Sequence, residues 1–182
     1  MHESVLLAES IESLNLKEDS IIVDATLGYG GHSSNILARI KRGYLFAFDQ
    51  DSEAIRHSTE RLSSIGTNFT IIKSNFVNLK EELAKQNIHK VDGVLFDLGV
   101  SSPQLDDKTR GFSYHEDSRL DMRMDKDNPI SAYEVVNNYT KEELANIFYK
   151  YGEDKFSRNI AKKIVEYREN KPIETTLELV EI

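Results

Sequence analysis

The 182-residue chain contains no cysteine. That excludes disulfides and thiolate metal sites, and it fits a protein of a reducing cytoplasm. Long apolar runs are missing as well. None approaches the ~20 residues that cross a bilayer, so no membrane role is expected. The opening Met1-His2-Glu3-Ser4 has no basic segment leading into an apolar one, hence no secretory signal is read there. It also lacks the Arg-rich, acid-poor character of a mitochondrial transit peptide. An excess of basic charge is absent. The net charge is −8; residues 1–100 carry 10 basic and 14 acidic groups, and residues 101–182 carry 13 and 17. This balance argues against a general nucleic-acid binder. Repeats and low-complexity tracts do not occur. With 39% hydrophobic and 30% charged residues, the chain reads as globular rather than disordered.

What is present is an alternation of strand and helix signals over the first hundred residues. Strands are expected at about 21–25, 44–49, 69–73 and 91–96. Helices are expected at 33–40, 52–65 and near 77–85, with Asp51 or Ser52 as the cap of the second. Continuous apolar strands separated by helices imply a parallel sheet covered on both faces. After residue 100 a polar stretch runs to Pro129 with little periodicity. Only helices are expected beyond it, at about 131–138, 140–151, 153–170 and from Thr175. Thr140-Lys141-Glu142-Glu143 has the form of a capping box. Phe156, Ile160, Ile164 and Tyr167 recur at helical spacing and read as a core face. Two lobes follow, joined by a 98–129 loop long enough to be functional.

The segment Asp24-Ala25-Thr26-Leu27-Gly28-Tyr29-Gly30-Gly31-His32 joins the first strand to the first helix of the sheet. Glycines there let the backbone take positive φ and approach a ligand closely. A dinucleotide fingerprint requires a third glycine where Ser33 stands. The spacing D-x-x-x-G-x-G, carried by Asp24, Gly28 and Gly30, resembles the first motif of S-adenosylmethionine-dependent methyltransferases. An acid before the turn suits the cationic end of that cofactor, the plain alternative being that Asp24 caps the turn. Asp49 lies 21 residues beyond Gly28, where a ribose diol needs acceptors. Phe76 is either core or a platform for the adenine ring. His32 has no obvious carboxylate partner in sequence and is assigned proximity to the cofactor, without an acid–base role. Asp97-Leu98-Gly99-Val100-Ser101-Ser102-Pro103-Gln104 follows the fourth strand. Amino-group methyltransferases place an acid or amide and a proline-containing loop there, against the target amine. A carboxylate accepting the amine N–H bonds favours a pyramidal nitrogen and in-line attack, so Asp97 is the candidate catalytic residue. No metal is called for.

Together with Gly28-Tyr29-Gly30-Gly31-His32, the segments Asp97 to Asp106, Arg110-Gly111-Phe112-Ser113, Leu120-Asp121-Met122-Arg123-Met124-Asp125, Tyr151-Gly152-Glu153 and the opening His2-Glu3-Ser4-Val5-Leu6-Leu7 resemble the RsmH (MraW) family. The likeness covers essentially the whole chain. Enzymes of that family methylate N4 of a cytidine in the decoding region of bacterial 16S ribosomal RNA, using S-adenosylmethionine. The resemblance implies a Rossmann-like class I methyltransferase sheet, an α/β fold, with an all-helical inserted substrate-recognition domain. Residues 1–105 and 106–182 would form the two parts. It implies cofactor contacts at Gly30, Gly31, His32, Asp49, Phe76, Asp97 and Gln104. The 110–125 loop would form part of the wall between cofactor and RNA. The small ribosomal subunit would be the partner and the cytoplasm the location. Lys155 to Lys171 holds six basic residues against two acids. Lys155, Arg158, Lys162 and Lys163 are its candidate RNA-backbone contacts, the plain alternative being a solvated helix face.

The family's sheet has seven strands, and the glycine turn and I-S-F-H-S-L-E-D-R-like segment of its later part do not occur here. Four strands are therefore expected, with strand four exposing an unpaired edge. Lost apolar cover weakens such a fold and favours dimerisation or aggregation through that edge. Two alternatives stand beside the enzyme. One is a cofactor- or RNA-binding fragment with weak or no turnover. The other is a nicotinamide dehydrogenase.

Overall fold

Ile22-Val23 and Leu45-Phe46-Ala47-Phe48 are apolar without alternation, and strands of that kind need cover on both faces. In the computed structural model, which describes residues 4–182, they form the centre of a parallel sheet. Its strands are β1 (Ile21–Asp24), β2 (Tyr44–Asp49), β3 (Phe69–Lys73) and β4 (Gly93–Leu95), in the order β3-β2-β1-β4. Val23 is level with Phe46 on one side and with Val94 on the other. Side chains alternate between faces along each strand. Ile22, Leu45 and Ala47 enter one cluster with Ile11, Leu27, Ile36, Leu37, Ile40 and Leu62. Val23, Phe46 and Phe48 enter a second with Leu83. The first face is covered by α1 (Leu7–Ser13), α2 (Gly31–Leu37) and α3 (Ser52–Ser63), the second by α4 (Leu79–Lys85). Each fully buried side chain of this size contributes about 1.5–3 kcal/mol relative to exposure.

The chain winds outward from β1 to β3, then returns to the far side of β1 to place β4. This reversal is the switch point of a doubly wound, Rossmann-like sheet, where ligands bind beyond the carboxyl ends of the strands. Strands β2 and β3 occupy the expected spans. Strand β4 is shorter than the expected 91–96. Among the described residues it pairs with β1 alone, and Val94, Phe96, Leu98 and Val100 are exposed along and beyond it. The expected unpaired edge is therefore present. Helix α1 has no counterpart in the sequence reading.

The chain divides into two compact units, residues 1–99 and 100–182. In the second unit the polar stretch is more ordered than its lack of periodicity suggests. It contains α5 (Ser102–Asp106) and a 3₁₀ turn at Lys108–Arg110. Buried Arg110 donates to the carbonyls of Arg123 (2.9 Å) and Met124 (3.2 Å), folding the loop around its guanidinium. Then come α6 (Ala132–Asn138), α7 (Lys141–Gly152), α8 (Ser157–Arg168) and α9 (Thr176–Glu181). Their core is Leu120, Val136, Leu144, Ala161, Ile164 and Ile173. Phe156 does not belong to it. The expected helix from 153 starts later, because the Asp154 side chain accepts from the Phe156 N–H (2.6 Å) in a turn. Phe156 thus caps α8 and stays 68% exposed, while Ile160, Ile164 and Tyr167 do pack inward. Arg168, within the basic run, donates to the carbonyls of Val136 and Tyr139 at the end of α6. It closes a helix terminus.

Candidate functional site

Parallel pairing brings the carboxyl ends of β1, β2 and β4 to one edge of the sheet, and the glycine turn is stitched to both neighbours. The Ala25 N–H donates to the Leu95 carbonyl (2.9 Å) and the Leu27 N–H to the Phe48 carbonyl (2.8 Å). The Asp97 N–H donates to Thr26 Oγ1 (2.7 Å), and the Gly28 N–H to Asp49 Oδ2 (2.8 Å). Helix α3 holds the turn from outside, with Ser58 Oγ donating to the Gly28 carbonyl (2.7 Å) and Arg61 to the Tyr29 carbonyl (3.2 Å).

Gly28 and Gly30 have φ of 51° and 76°. A Cβ on Gly30 would lie 3.1 Å from Ser58 Oγ, and one on Gly31 would collide with the Ser4 side chain. Conformation thus favours glycine at 28 and 30, and at 31 a side chain would need Ser4 to move. Gly30 caps α2 without a side chain and is buried, its N–H donating to the Leu27 carbonyl (2.9 Å).

Asp24 faces inward. It is fully buried and accepts from Ser33 Oγ (2.6 Å) and the Thr26 N–H (3.1 Å). Burial pushes its carboxyl above the usual range, and the Ser33 bond pulls it partly back. Of the two sequence-based readings, the structure selects the cap that braces the turn over the acid that meets a ligand's cation.

Asp51, of the two residues expected to cap α3, is the one that does so. Asp51 accepts from the Glu53 N–H (3.0 Å) and caps α3. Asp49 holds the glycine turn with one oxygen and the Asp51 N–H (2.9 Å) with the other. An ionised carboxylate has about four lone-pair sites, so acceptor capacity for a diol remains. Partial burial raises the Asp49 carboxyl, against the hydrogen bonds from the backbone of Asp51 and Gly28.

His32, the second residue of α2, is buried, and its Nδ1 lies 3.7 Å from Asp97 Oδ2. The carboxylate neighbour that sequence proximity did not reveal is thus supplied by the end of β4. The Asp97 carboxylate itself is about half exposed. Phe76 is no core residue. It begins the 3₁₀ turn after β3, is 38% exposed, and meets Phe96 edge to face at 5.6 Å between centroids. Phe96 and the braces Thr26 and Ser33 were missed by sequence reasoning. The Asp-x-Thr spacing could have signalled Thr26; no local pattern marks Phe96.

Gln104 belongs to the second unit. It is buried, and its Oε1 accepts from the Ser101 N–H (3.0 Å), closing the capping box of α5. Lys155, Arg158, Lys162 and Lys163 are all exposed on α8 and the turn before it. Lys162 lies 3.5 Å from Glu166, and Lys163 donates to the Ile182 carbonyl (3.2 Å). Among the described residues no three His, Asp or Glu side chains cluster as metal ligands.

A sequence profile of the MraW methylase family matches residues 1–182. The ribosomal RNA small subunit methyltransferase H of Exiguobacterium sibiricum is 59% identical over 181 residues, covering 100% of this chain and 58% of that protein. The chain thus spans little more than half the length of this relative. Among solved structures, an rRNA methylase from Streptococcus thermophilus is 24% identical, with a TM-score of 0.45 over 58% of this chain and 60% of that one. NSun6 from Pyrococcus horikoshii is 22% identical, with a TM-score of 0.44 over 57% and 27%.

Proposed function

This chain belongs to the MraW methylase family, and from that premise we propose that its sheet unit binds S-adenosyl-L-methionine for methylation of 16S ribosomal RNA at N4 of a cytidine in the decoding region. The observation that carries the cofactor reading is the Asp49 carboxylate, tied to the Gly28 N–H beside a left-handed glycine turn and left with free acceptor capacity. The residues present fit such a cofactor. Asp49 would accept from the ribose hydroxyls. The backbone at Gly30, Gly31 and His32 would take the amino-acid end, in a turn that the left-handed Gly28 and Gly30 make possible. Phe76, exposed with Phe96 against its edge, would offer a ring face to the adenine. Gln104 is carried over from the family pattern as a further cofactor contact.

The bound cofactor supplies an electrophilic methyl group on a sulfonium. Asp97 is the residue proposed to act on the substrate. Its half-exposed carboxylate would accept N–H bonds of the cytosine amine, turning the nitrogen lone pair toward the methyl carbon. We assign the RNA backbone to Lys155, Arg158, Lys162 and Lys163, and the location to the cytoplasm. The exposed edge of β4 is the surface through which a homodimer would form. That same exposure favours a second reading, in which this chain binds cofactor without turnover, since Phe96 and Leu98 flank Asp97 with little cover.

Calorimetric titration of S-adenosylmethionine tests the cofactor site, with an expected loss of at least tenfold in affinity for Asp49→Ala. Equal affinity in both proteins would remove the ribose assignment. Labelled methyl transfer to small subunits lacking the modification then separates the two readings. Transfer that Asp97→Ala abolishes supports the enzyme; binding without transfer supports the fragment.

A further inference from the structure

The helical unit carries a surface cavity of about 290 Å³, lined by Arg119, Tyr133, Glu174 and Thr175, that the methyl-transfer chemistry leaves unused. Three backbone segments frame it. Arg119 and Thr175 face each other across an antiparallel bridge. The Leu120 N–H donates to the Glu174 carbonyl (3.0 Å) and the Thr176 N–H to the Ser118 carbonyl (2.8 Å). On the other edge of the same segment, the Tyr133 N–H donates to the Leu120 carbonyl (2.8 Å) and the Ala132 N–H to the Asp121 carbonyl (2.6 Å). Leu120, Ile173 and Thr176 are buried beneath. The lining side chains therefore rise from a hydrogen-bonded frame that sets their positions before any ligand arrives.

The charges in this cavity do not satisfy each other. The Arg119 guanidinium lies over the Tyr133 ring, 5.7 Å from its centroid, and among the described residues it makes no hydrogen bond or ion pair. Glu134 senses its charge, but Glu134 is engaged by Ser131. At Glu174 only the backbone is engaged, its N–H donating to Glu178 (2.8 Å); among the described residues the carboxylate has no donor. A bare anion in this cavity would meet Glu174, and a bare cation would meet Arg119. A flat heteroaromatic group that presents an amine satisfies both. Its face stacks on the guanidinium plane and its amine donates to the carboxylate. The volume is at the small end of ligand pockets, about 300 Å³, which suits one ring system and not a longer segment.

We propose that this cavity receives a single unpaired RNA base with an exocyclic amine, cytosine or adenine, outside the nucleotide that is methylated. The proposal rests on the RNA reading above. Arg119 supplies the stacking plane, Glu174 the amine acceptor, and Tyr133 fixes Arg119.

The test is fluorescence anisotropy of the 182-residue chain with labelled r(C)₈ and r(U)₈, which differ in an amine against a carbonyl at position 4. The chain should bind r(C)₈ about tenfold more tightly, the discrimination of one specific base contact. Glu174→Gln should erase that preference, because an amide both donates and accepts. Arg119→Ala should weaken both oligonucleotides. Both residues are exposed, and S-adenosylmethionine affinity should stay unchanged in both variants. A preference that survives Glu174→Gln, or r(C)₈ binding indifferent to Arg119→Ala, overturns the proposal. So does the absence of RNA binding by the unsubstituted chain, and a cofactor titration on the same sample then shows whether the methyltransferase reading has fallen with it.

Discussion

The two units start their helices in different ways. In the helical unit, α5, α6, α7 and α9 each begin with a capping box: Ser101–Gln104, Ser131–Glu134, Thr140–Glu143 and Thr175–Glu178. Among the described residues of the sheet unit no helix has one. There α3 has a single acceptor, Asp51, and α1, α2 and α4 have no side-chain cap. Short helices are marginal by themselves and need either local closure or tertiary support. Where a sheet supplies a large apolar surface, the helix starts are released from capping and their loops can serve a ligand. Where there is no sheet, four of the five starts are closed locally, and α8, which follows the Asp154 turn, is the one without a side-chain cap. The difference locates the candidate cofactor site in the unit whose loop ends are left chemically open.

If the sheet organises the first unit, the largest effect should come from its centre. Phe48→Ala should cost about 3–5 kcal/mol, read by urea denaturation, because Phe48 is fully buried between β2 and α4. A much smaller loss would mean that the sheet is not the organiser. Asp24→Ala comes next, at about 1–3 kcal/mol for each donor stranded at Thr26 and Ser33. Asp24→Asn should retain most of the stability, since its amide oxygen still accepts from Thr26 and the Ser33 hydroxyl can reverse. Ser131→Ala, which removes one cap of the helical unit, should cost about 1 kcal/mol by the same measurement.

The smallest effect is one of sign. Hydrogen bonds from Ser131 hold Glu134 below its usual pKa, those from Thr140 hold Glu143, and Lys171 holds Glu178. A lowered folded-state pKa gives stability that is present above the unfolded value and lost as pH falls through the folded one. Asp24 and Asp49 are raised by burial, so their folded forms bind protons more readily than the unfolded chain does. Their contribution grows as pH falls through the raised values. Acidification should therefore loosen the first turns of α6, α7 and α9 before the strand ends, by amide hydrogen exchange. Earlier loss at the strand ends would break the comparison between the units.

Local chemistry made much of this legible. The apolar runs of β2 and β3 mark their own limits, and the division between Asp49 and Asp51 follows from their distances to the next helix. The Thr140 capping box is visible in four residues. Helix α5 escaped because five residues hold too little periodicity to register. Phe156 falls outside the core because the Asp154 turn, which spacing does not reveal, delays the start of α8 to Ser157.

By itself, then, the sequence determined the parallel sheet, its glycine turn and the helical second half, because each is written in neighbours a few residues apart. Tertiary structure alone decided that Asp24 turns inward to Ser33, that His32 meets Asp97 from 65 residues away, that Phe76 stands against Phe96, and that Arg168 closes α6. Those outcomes depend on which strand ends lie side by side and which helix ends meet. Pairing between distant segments sets that order, and no local pattern encodes it.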